Sequence, residues 1–187
     1  MTMKIGILVG SLRAHSYNRM VANTIPDLVP TAQFEHIAIG ELPFYNSDLD
    51  QDEGPDAVKL FRDQVRAADG IIIVSPEYNA GMPGVLKNAL DWASTKAAAG
   101  ALIKKPAAII GATPGPRGTI MGQQQIRHTL EGVQALALPY QRMYISEVMH
   151  KVDPAVGKLT DATTNKYLQR YVEAFVQWID QVNLLDR

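Results

Sequence analysis

Residues 70–92 read GIIIVSPEYNAGMPGVLKNALDW, and this stretch decides the fold. Positions 71–74 are apolar, β-branched and uninterrupted, the pattern of a strand that is covered on both faces in a parallel sheet. Between positions 76 and 84, two prolines restrict the backbone and two glycines allow it conformations that other residues avoid. This composition predicts a loop of defined conformation. From position 85, apolar residues recur at helical spacing. The stretch therefore predicts a buried strand, a loop and a helix in succession.

Apolar runs of the same kind flank this stretch on both sides, and helical patterns separate them. The predicted strands are residues 3–9, 34–39, 70–74, 106–112 and 140–145. Their alternation with helices predicts an α/β fold, an open, doubly wound, five-stranded parallel sheet in the order 2-1-3-4-5 with helices on both faces. The length of 187 residues suits a single domain, residues 1–187.

The composition excludes several kinds of partner and site. The formal net charge is −1, so nothing indicates nucleic acid or an anionic membrane as a partner. The absence of cysteine excludes a disulfide framework, a thiolate metal site and a cysteine nucleophile. The four histidines are scattered without metal-ligand spacing, and no apolar run approaches the roughly 20 residues of a membrane span. We therefore expect a cytoplasmic protein without a metal site.

Three unusual loops are predicted to meet at one edge of the sheet. In a sheet of this order, the loops after strands one, three and four lie together, beside the switch point between strands one and three. Here those loops are residues 10–19, 75–84 and 113–118, and each is rich in polar residues, glycine or proline. Their convergence predicts a ligand-binding crevice.

The first loop carries four anion donors within eight residues. They are the hydroxyls of Ser11 and Ser16, the guanidinium of Arg13 and the amide of Asn18, next to the free N–H groups of a starting helix. Such a set favours a phosphate group. The alternative is that Ser16 and Asn18 only cap the helix, which leaves Arg13 unexplained. Because neither a Gly-x-Gly-x-x-Gly nor a Walker motif is present, a monophosphate suits this loop best.

The second loop offers one wall for a flat ring. Pro76 and Pro83 restrain its backbone amides, Tyr78 offers edge or face contact, and Asn79 offers hydrogen bonds. A monophosphate together with a planar ring suggests FMN as a bound cofactor. The alternative is an ordinary polar turn at residues 77–79.

Two segments resemble the signatures of the NADPH-dependent FMN reductase family, which includes quinone, azo-dye and chromate reductases. They are residues 10–19, GSLRAHSYNR, and residues 75–92 of the stretch quoted above. The resemblance covers nearly the whole chain and implies a flavodoxin-like fold. By this resemblance, the FMN phosphate is held by Ser11, Arg13, Ser16, Asn18 and the backbone N–H of Tyr17, and the isoalloxazine is bordered by Pro76, Glu77, Tyr78 and Asn79.

The third loop matches the same family only in part. Thr113 can supply a hydroxyl, but Pro116 and Arg117 follow Gly115 where the family often has paired glycines. How this loop approaches the flavin or the nicotinamide is therefore left open by the sequence.

The resemblance also implies an activity. It predicts an enzyme that passes hydride from NADPH or NADH through bound FMN to small-molecule electron acceptors, namely quinones, free flavin, azo compounds or chromate. The flavin carries the chemistry, so no catalytic side chain is expected. Members of the family are usually dimers or tetramers, which implies a homodimer or a homotetramer here.

Two other functions fit the same fold. A flavodoxin-type electron carrier would bind FMN without oxidising a nicotinamide itself, and the net charge of −1 argues mildly against it because flavodoxins are typically strongly acidic. A binding or regulatory module without flavin is the second alternative. FMN binding and NADPH oxidation by the purified protein distinguish all three functions.

Overall fold

The computed structural model of the protein describes residues 2–95 and 100–185. The main sheet contains β1 (Lys4–Val9), β2 (Gln33–Ile37), β3 (Gly70–Val74), β4 (Pro106–Ala112), β5 (Leu136–Ala137) and β6 (Met143–Ile145). The helices are α1 (Tyr17–Leu28), α2 (Asp56–Ala67), α3 (Gly84–Ser94), α4 (Ile120–Gly132) and α5 (Ala162–Leu185). A separate hairpin is formed by β7 (Val152–Asp153) and β8 (Lys158–Leu159). Within these described ranges, no helix is both long enough and apolar enough to span a bilayer.

The strand order confirms the predicted doubly wound α/β fold. The order is β2-β1-β3-β4, with β5 and β6 both on the outer side of β4, and every pairing in this sheet is parallel. The ends of β1, β3 and β4 lie side by side, because Val9 is in register with Val74 and Val74 with Ile110. The loops that follow these three strands therefore start from one edge of the sheet.

The fifth strand differs from the single strand predicted at residues 140–145. It is divided into β5, which pairs with the start of β4, and β6, which pairs with the end of β4. Pro139 lies between the two pieces, and a proline offers no N–H to the ladder and fixes its own φ. The gap that remains opposite Ile109 is filled by the side chain of Tyr171 from α5.

Alternate residues of the central strands face two separate apolar clusters. Ile72 and Val74 belong to the cluster that includes residues of α1 and α5. Ile71 and Ile73 belong to the cluster on the opposite face, with residues of α2, α3 and α4. All four side chains are fully buried, which explains why the strand is apolar at every position.

A buried arginine holds the long acidic loop that precedes α2. Arg62 is 1% exposed and donates hydrogen bonds to the Asp50 carboxylate (2.6 Å), the Glu53 carbonyl (3.2 Å), the Trp92 carbonyl (3.0 Å) and the Thr95 hydroxyl (2.8 Å). The loop is therefore fixed to α2 and to the end of α3.

Candidate functional site

The three loops form one crevice at the ends of β1, β3 and β4. We call it the three-loop crevice; its lining is Ser11, Arg13, Ser16, Tyr17, Asn18, Pro76, Glu77, Tyr78, Ala112, Thr113 and Pro114. The lining includes every residue predicted for the site except Asn79. Residues up to 103 positions apart in the chain, Ser11 and Pro114, are thus brought together by the strand order.

The start of α1 offers backbone donors to this crevice. Ser16 caps the helix: its Oγ accepts a hydrogen bond from the Arg19 N–H (3.3 Å), and its carbonyl accepts one from the Met20 N–H (3.0 Å). The N–H groups of Tyr17 and Asn18 have no partner among the described residues. Free N–H groups at a helix N-terminus attract anions. The Ser16 hydroxyl proton also remains available, because Oγ acts only as an acceptor in the cap.

Two further side chains of the first loop add to this anion site. Ser11 is 3% exposed, and its hydroxyl has no hydrogen-bond partner within the described chain. Arg13 is exposed, and its guanidinium lies over the Tyr17 ring at 5.8 Å from the ring centroid. The Arg13 guanidinium forms no ion pair with any residue that the structure describes. It is therefore free to bind an anion in the crevice.

The side-chain amide of Asn18 is bonded to the backbone at the end of β4. Its Nδ2 donates to the Ala112 carbonyl (2.9 Å), and its Oδ1 accepts from the Ala112 N–H (3.0 Å). Both ends of the amide thus tie α1 to the end of β4, and the residue is 3% exposed. The backbone N–H of Asn18 remains for a ligand, as does the second N–H of its side-chain amide.

The second loop contains a tight two-residue turn. The N–H and carbonyl groups of Tyr78 and Gly81 are paired at 2.9 Å, and between them Asn79 and Ala80 have φ values of 49° and 61°. This is the geometry of a type I′ turn. The turn holds Tyr78, half exposed, at the crevice and places Asn79 at the tip, outside the lining.

Glu77 joins the second loop to the helix that follows the third. Its Oε2 accepts a hydrogen bond from the Gly122 N–H (2.8 Å) in the first turn of α4. Beside it, the Gln125 side chain accepts from the Met82 N–H (2.6 Å). The Glu77 carboxylate is therefore held at the positive end of α4. Sequence reasoning missed Gly122 and Gln125, because nothing in the sequence links them to a loop about 45 residues earlier.

The third loop is held by the Thr113 side chain and by a bond to β6. The Thr113 Oγ accepts from the Gly115 N–H (3.3 Å), and the Thr113 N–H donates to the Ile145 carbonyl at the end of β6 (3.0 Å). Gly118 has a φ of 65°, so the left-handed residue of this loop comes three positions after Gly115. Arg117, immediately before it, is exposed.

Known proteins resemble this chain in sequence and in overall fold. Residues 3–149 match the family model described as NADPH-dependent FMN reductase. A 2-hydroxy-1,4-benzoquinone reductase of Burkholderia sp is 39% identical over 96% of this chain and 97% of its own. An NAD(P)H-dependent FMN reductase of Pseudomonas aeruginosa is 38% identical over 95% of each chain. The solved structure of a flavoenzyme NAD(P)H:(acceptor) oxidoreductase (FerB) from Paracoccus denitrificans superposes with a TM-score of 0.88, at 34% identity over 96% of this chain and 98% of that chain.

Proposed function

The chain belongs to the NADPH-dependent FMN reductase family, and from this premise we propose that quinones are the acceptors it reduces. The family assignment makes it an enzyme, an oxidoreductase that uses FMN and NAD(P)H and reduces small molecules. The choice of quinones is supported by the name of the 39% identical relative. The names of these relatives also favour a reductase over an electron carrier.

The residues of the three-loop crevice fit FMN at its phosphate end. The donors suited to a phosphate dianion are the N–H groups of Tyr17 and Asn18, the hydroxyls of Ser11 and Ser16, and the Arg13 guanidinium, which has no ion pair within residues 2–95 and 100–185. This donor set is the observation that carries the proposal. We assign the phosphate to these five residues, with Asn18 acting through its backbone.

The ring end of the cofactor is assigned to the second and third loops. Pro76 and Tyr78, which line the crevice, would border the isoalloxazine together with Asn79 at the tip of the turn, and Thr113 would approach it from the third loop. Glu77 would act by holding the second loop against α4 rather than by direct contact through its bonded oxygen. FMN, when bound, supplies the transfer of electrons between the nicotinamide and the acceptor. The protein contributes position and shielding.

We propose that NAD(P)H and the acceptor occupy the same open face of the crevice in turn. Tyr78, exposed at the rim, would contact both. Steady-state kinetics should then show parallel double-reciprocal lines when NADPH and quinone are varied. Intersecting lines, the sign of a ternary complex, would exclude this exchange.

The proposal extends to the organisation of the whole protein. We propose that residues 1–187 form one FMN-binding domain, that it assembles as a homodimer or homotetramer, and that it works in the cytoplasm without nucleic-acid or membrane partners. Phe44 (86% exposed) and Leu49 (43% exposed) both lie in the loop before α2, and two large apolar side chains so exposed on one loop support an assembled form. The net charge of −1 supports the absence of polyanionic partners.

One experiment tests the main proposal. The visible absorption of the purified protein is recorded before and after addition of FMN, then after NADPH under anaerobic conditions, and finally after 1,4-benzoquinone. We expect a flavin band that bleaches with NADPH and returns with the quinone. Flavin that binds but stays oxidised would favour the electron carrier. Failure to bind FMN would show that the donor set of the crevice serves another ligand.

A further inference from the structure

A second cavity lies on the outer side of the sheet, between β6 and the first turns of α5. Its volume is about 420 Å³, within the range of small-molecule sites. We call it the α5 pocket. It shares no lining residue with the three-loop crevice, so an occupant would not displace FMN from the residues assigned to it.

The α5 pocket has an excess of positive charge. Arg142, Lys151 and Arg170 contribute to its lining, and none of its lining residues is acidic. None of these three cations forms an ion pair with a residue that the structure describes; Arg142 donates to the Tyr144 hydroxyl instead (3.2 Å). Three such cations around one cavity favour an anionic ligand.

One carboxylate lies near the pocket but is already engaged. Asp161 caps α5 by accepting hydrogen bonds from the Thr164 hydroxyl and from the Thr164 N–H (2.7 Å). These bonds lower the pKa of the Asp161 carboxyl, and the charge of Lys151 lowers it further. Lys151 is thus partly neutralised by this carboxylate.

The remaining walls are aromatic. Four tyrosines contribute to the lining: Tyr140, Tyr144, Tyr167 and Tyr171. The rings of Tyr140 and Tyr171 lie 6.2 Å apart between centroids and are inclined by 58°. The hydroxyl of Tyr171 is bonded to the backbone of β4, so Tyr171 offers its ring rather than its hydroxyl. Flat side chains of this kind suit a planar ring.

We propose that the α5 pocket binds a planar aromatic anion, a ring that carries a carboxylate or a phosphate group. The tyrosines contact the ring, and Arg142 and Arg170 bind the anionic group. This site is additional to the oxidoreductase activity and does not depend on it. Its occupant is held beside α5 while the three-loop crevice remains accessible.

The binding is tested on the FMN-loaded protein by isothermal titration calorimetry. The probes are benzoate, phenyl phosphate and benzyl alcohol, which share one ring and differ in the charged group. We expect at least one of the anions to bind and the neutral alcohol to bind at least about tenfold more weakly. The preferred anion identifies whether a carboxylate or a phosphate is recognised.

Variants locate the bound anion. In the double variant Arg142→Gln and Arg170→Gln, the affinity should fall by at least about tenfold, because the loss of each hydrogen bond to a charged group costs roughly ten- to 150-fold. The matched control is Lys166→Gln, an exposed residue of the same helix outside the lining, which should leave the affinity unchanged. The single variant Arg170→Gln, an exposed position, provides the same test if the double variant does not fold.

A spectroscopic measurement separates the two sites. An anion in the α5 pocket should leave the visible spectrum of bound FMN unchanged, whereas an anion stacked on the flavin should shift it. The proposal is overturned if neither anion binds, if the alcohol binds as tightly, if the arginine variants bind as the wild type does, or if binding shifts the flavin band.

Discussion

The hydroxyl of Tyr171 occupies the gap in the outer strand of the sheet opposite Ile109. It accepts a hydrogen bond from the Ile109 N–H (3.1 Å) and donates one to the Ile109 carbonyl (2.9 Å). One side-chain oxygen thus replaces the two backbone groups that an unbroken fifth strand would have supplied. Burial raises the pKa of the Tyr171 phenol, so it keeps the proton that it donates.

Replacement of Tyr171 by phenylalanine should destabilise the fold. The change leaves two buried backbone groups without partners and should lower the free energy of unfolding by about 1–3 kcal/mol. Urea unfolding of the FMN-free protein measures it. The control is Tyr167→Phe, an exposed tyrosine one helical turn earlier, which should stay within about 0.5 kcal/mol of wild type. Equal stability of the two variants would contradict the role of the Tyr171 hydroxyl.

Replacement of Arg13 by alanine should weaken FMN binding. The loss of a guanidinium that faces the phosphate should raise the dissociation constant by roughly ten- to 150-fold. Quenching of FMN fluorescence on titration measures it. The control is Lys166→Ala, which also removes one positive charge but at a residue that is not assigned to the FMN site. This variant should bind FMN as wild type does. An unchanged dissociation constant for Arg13→Ala would remove this residue from the site.

Glu77 variants should separate positioning of the second loop from contact with the cofactor. Glu77→Gln keeps an oxygen that can accept from the Gly122 N–H, whereas Glu77→Ala does not. We expect the alanine variant to lose about 0.5–2 kcal/mol of stability, as for loss of a helix cap, together with FMN affinity, and the glutamine variant to retain most of both. Urea unfolding and FMN titration measure the two quantities. If both variants lost FMN affinity equally with unchanged stability, the carboxylate would instead contact the cofactor.

Removal of Arg62 should release the acidic loop. Arg62→Ala leaves the Asp50 carboxylate, 8% exposed, without its cation, and such a change costs about 3–5 kcal/mol. Urea unfolding of the FMN-free protein measures this loss of stability, and limited proteolysis should show new cleavage within residues 46–55. Lys59→Ala is the matched control, because its ion pairs with Glu53 and Asp63 are exposed and should contribute little. Resistance of the Arg62 variant to cleavage would show that other contacts hold the loop.

The cap of α5 should make stability depend on pH in the acid range. Hydrogen bonds from Thr164 lower the pKa of Asp161 in the folded state, so its contribution is present above the unfolded value of about 3.9 and is lost as the pH falls through the folded value. Asp161→Asn should therefore be less stable than wild type at pH 7, and the difference should shrink below about pH 4. Thermal unfolding from pH 2.5 to 7 compares the two proteins.

The sequence predicted the fold well because its strongest signals are local. An unbroken β-branched run such as residues 71–74 is fully buried only when both faces of the strand are covered. The alternation of such strands with helices then limits the possible strand orders. The division of the fifth strand was not predicted. Pro139 marks the break, but the group that compensates for it, the Tyr171 hydroxyl, comes 32 residues later and has no signature in the sequence.

For the candidate site too, distant contacts were harder to predict from the sequence than local structure. The strand order brings the predicted residues of three distant loops to one crevice, except Asn79, which lies at the tip of its turn. The tasks of individual side chains were harder to predict. Asn18 and Glu77 look like ligand contacts in the sequence, yet their bonded atoms contact the backbone of Ala112 and Gly122, 94 and 45 residues away. Such pairings depend on tertiary geometry and not on local pattern.

The divided fifth strand also affects how copies of the protein meet at high concentration. A long, flat edge strand exposes a row of N–H and carbonyl groups on which a strand from another molecule can polymerise. On this side of the described sheet, the outer pieces are two and three residues long, β5 and β6. Pieces of this length offer a poor template for cross-β growth. The proline that interrupts the strand therefore also helps to protect the protein against aggregation at this edge.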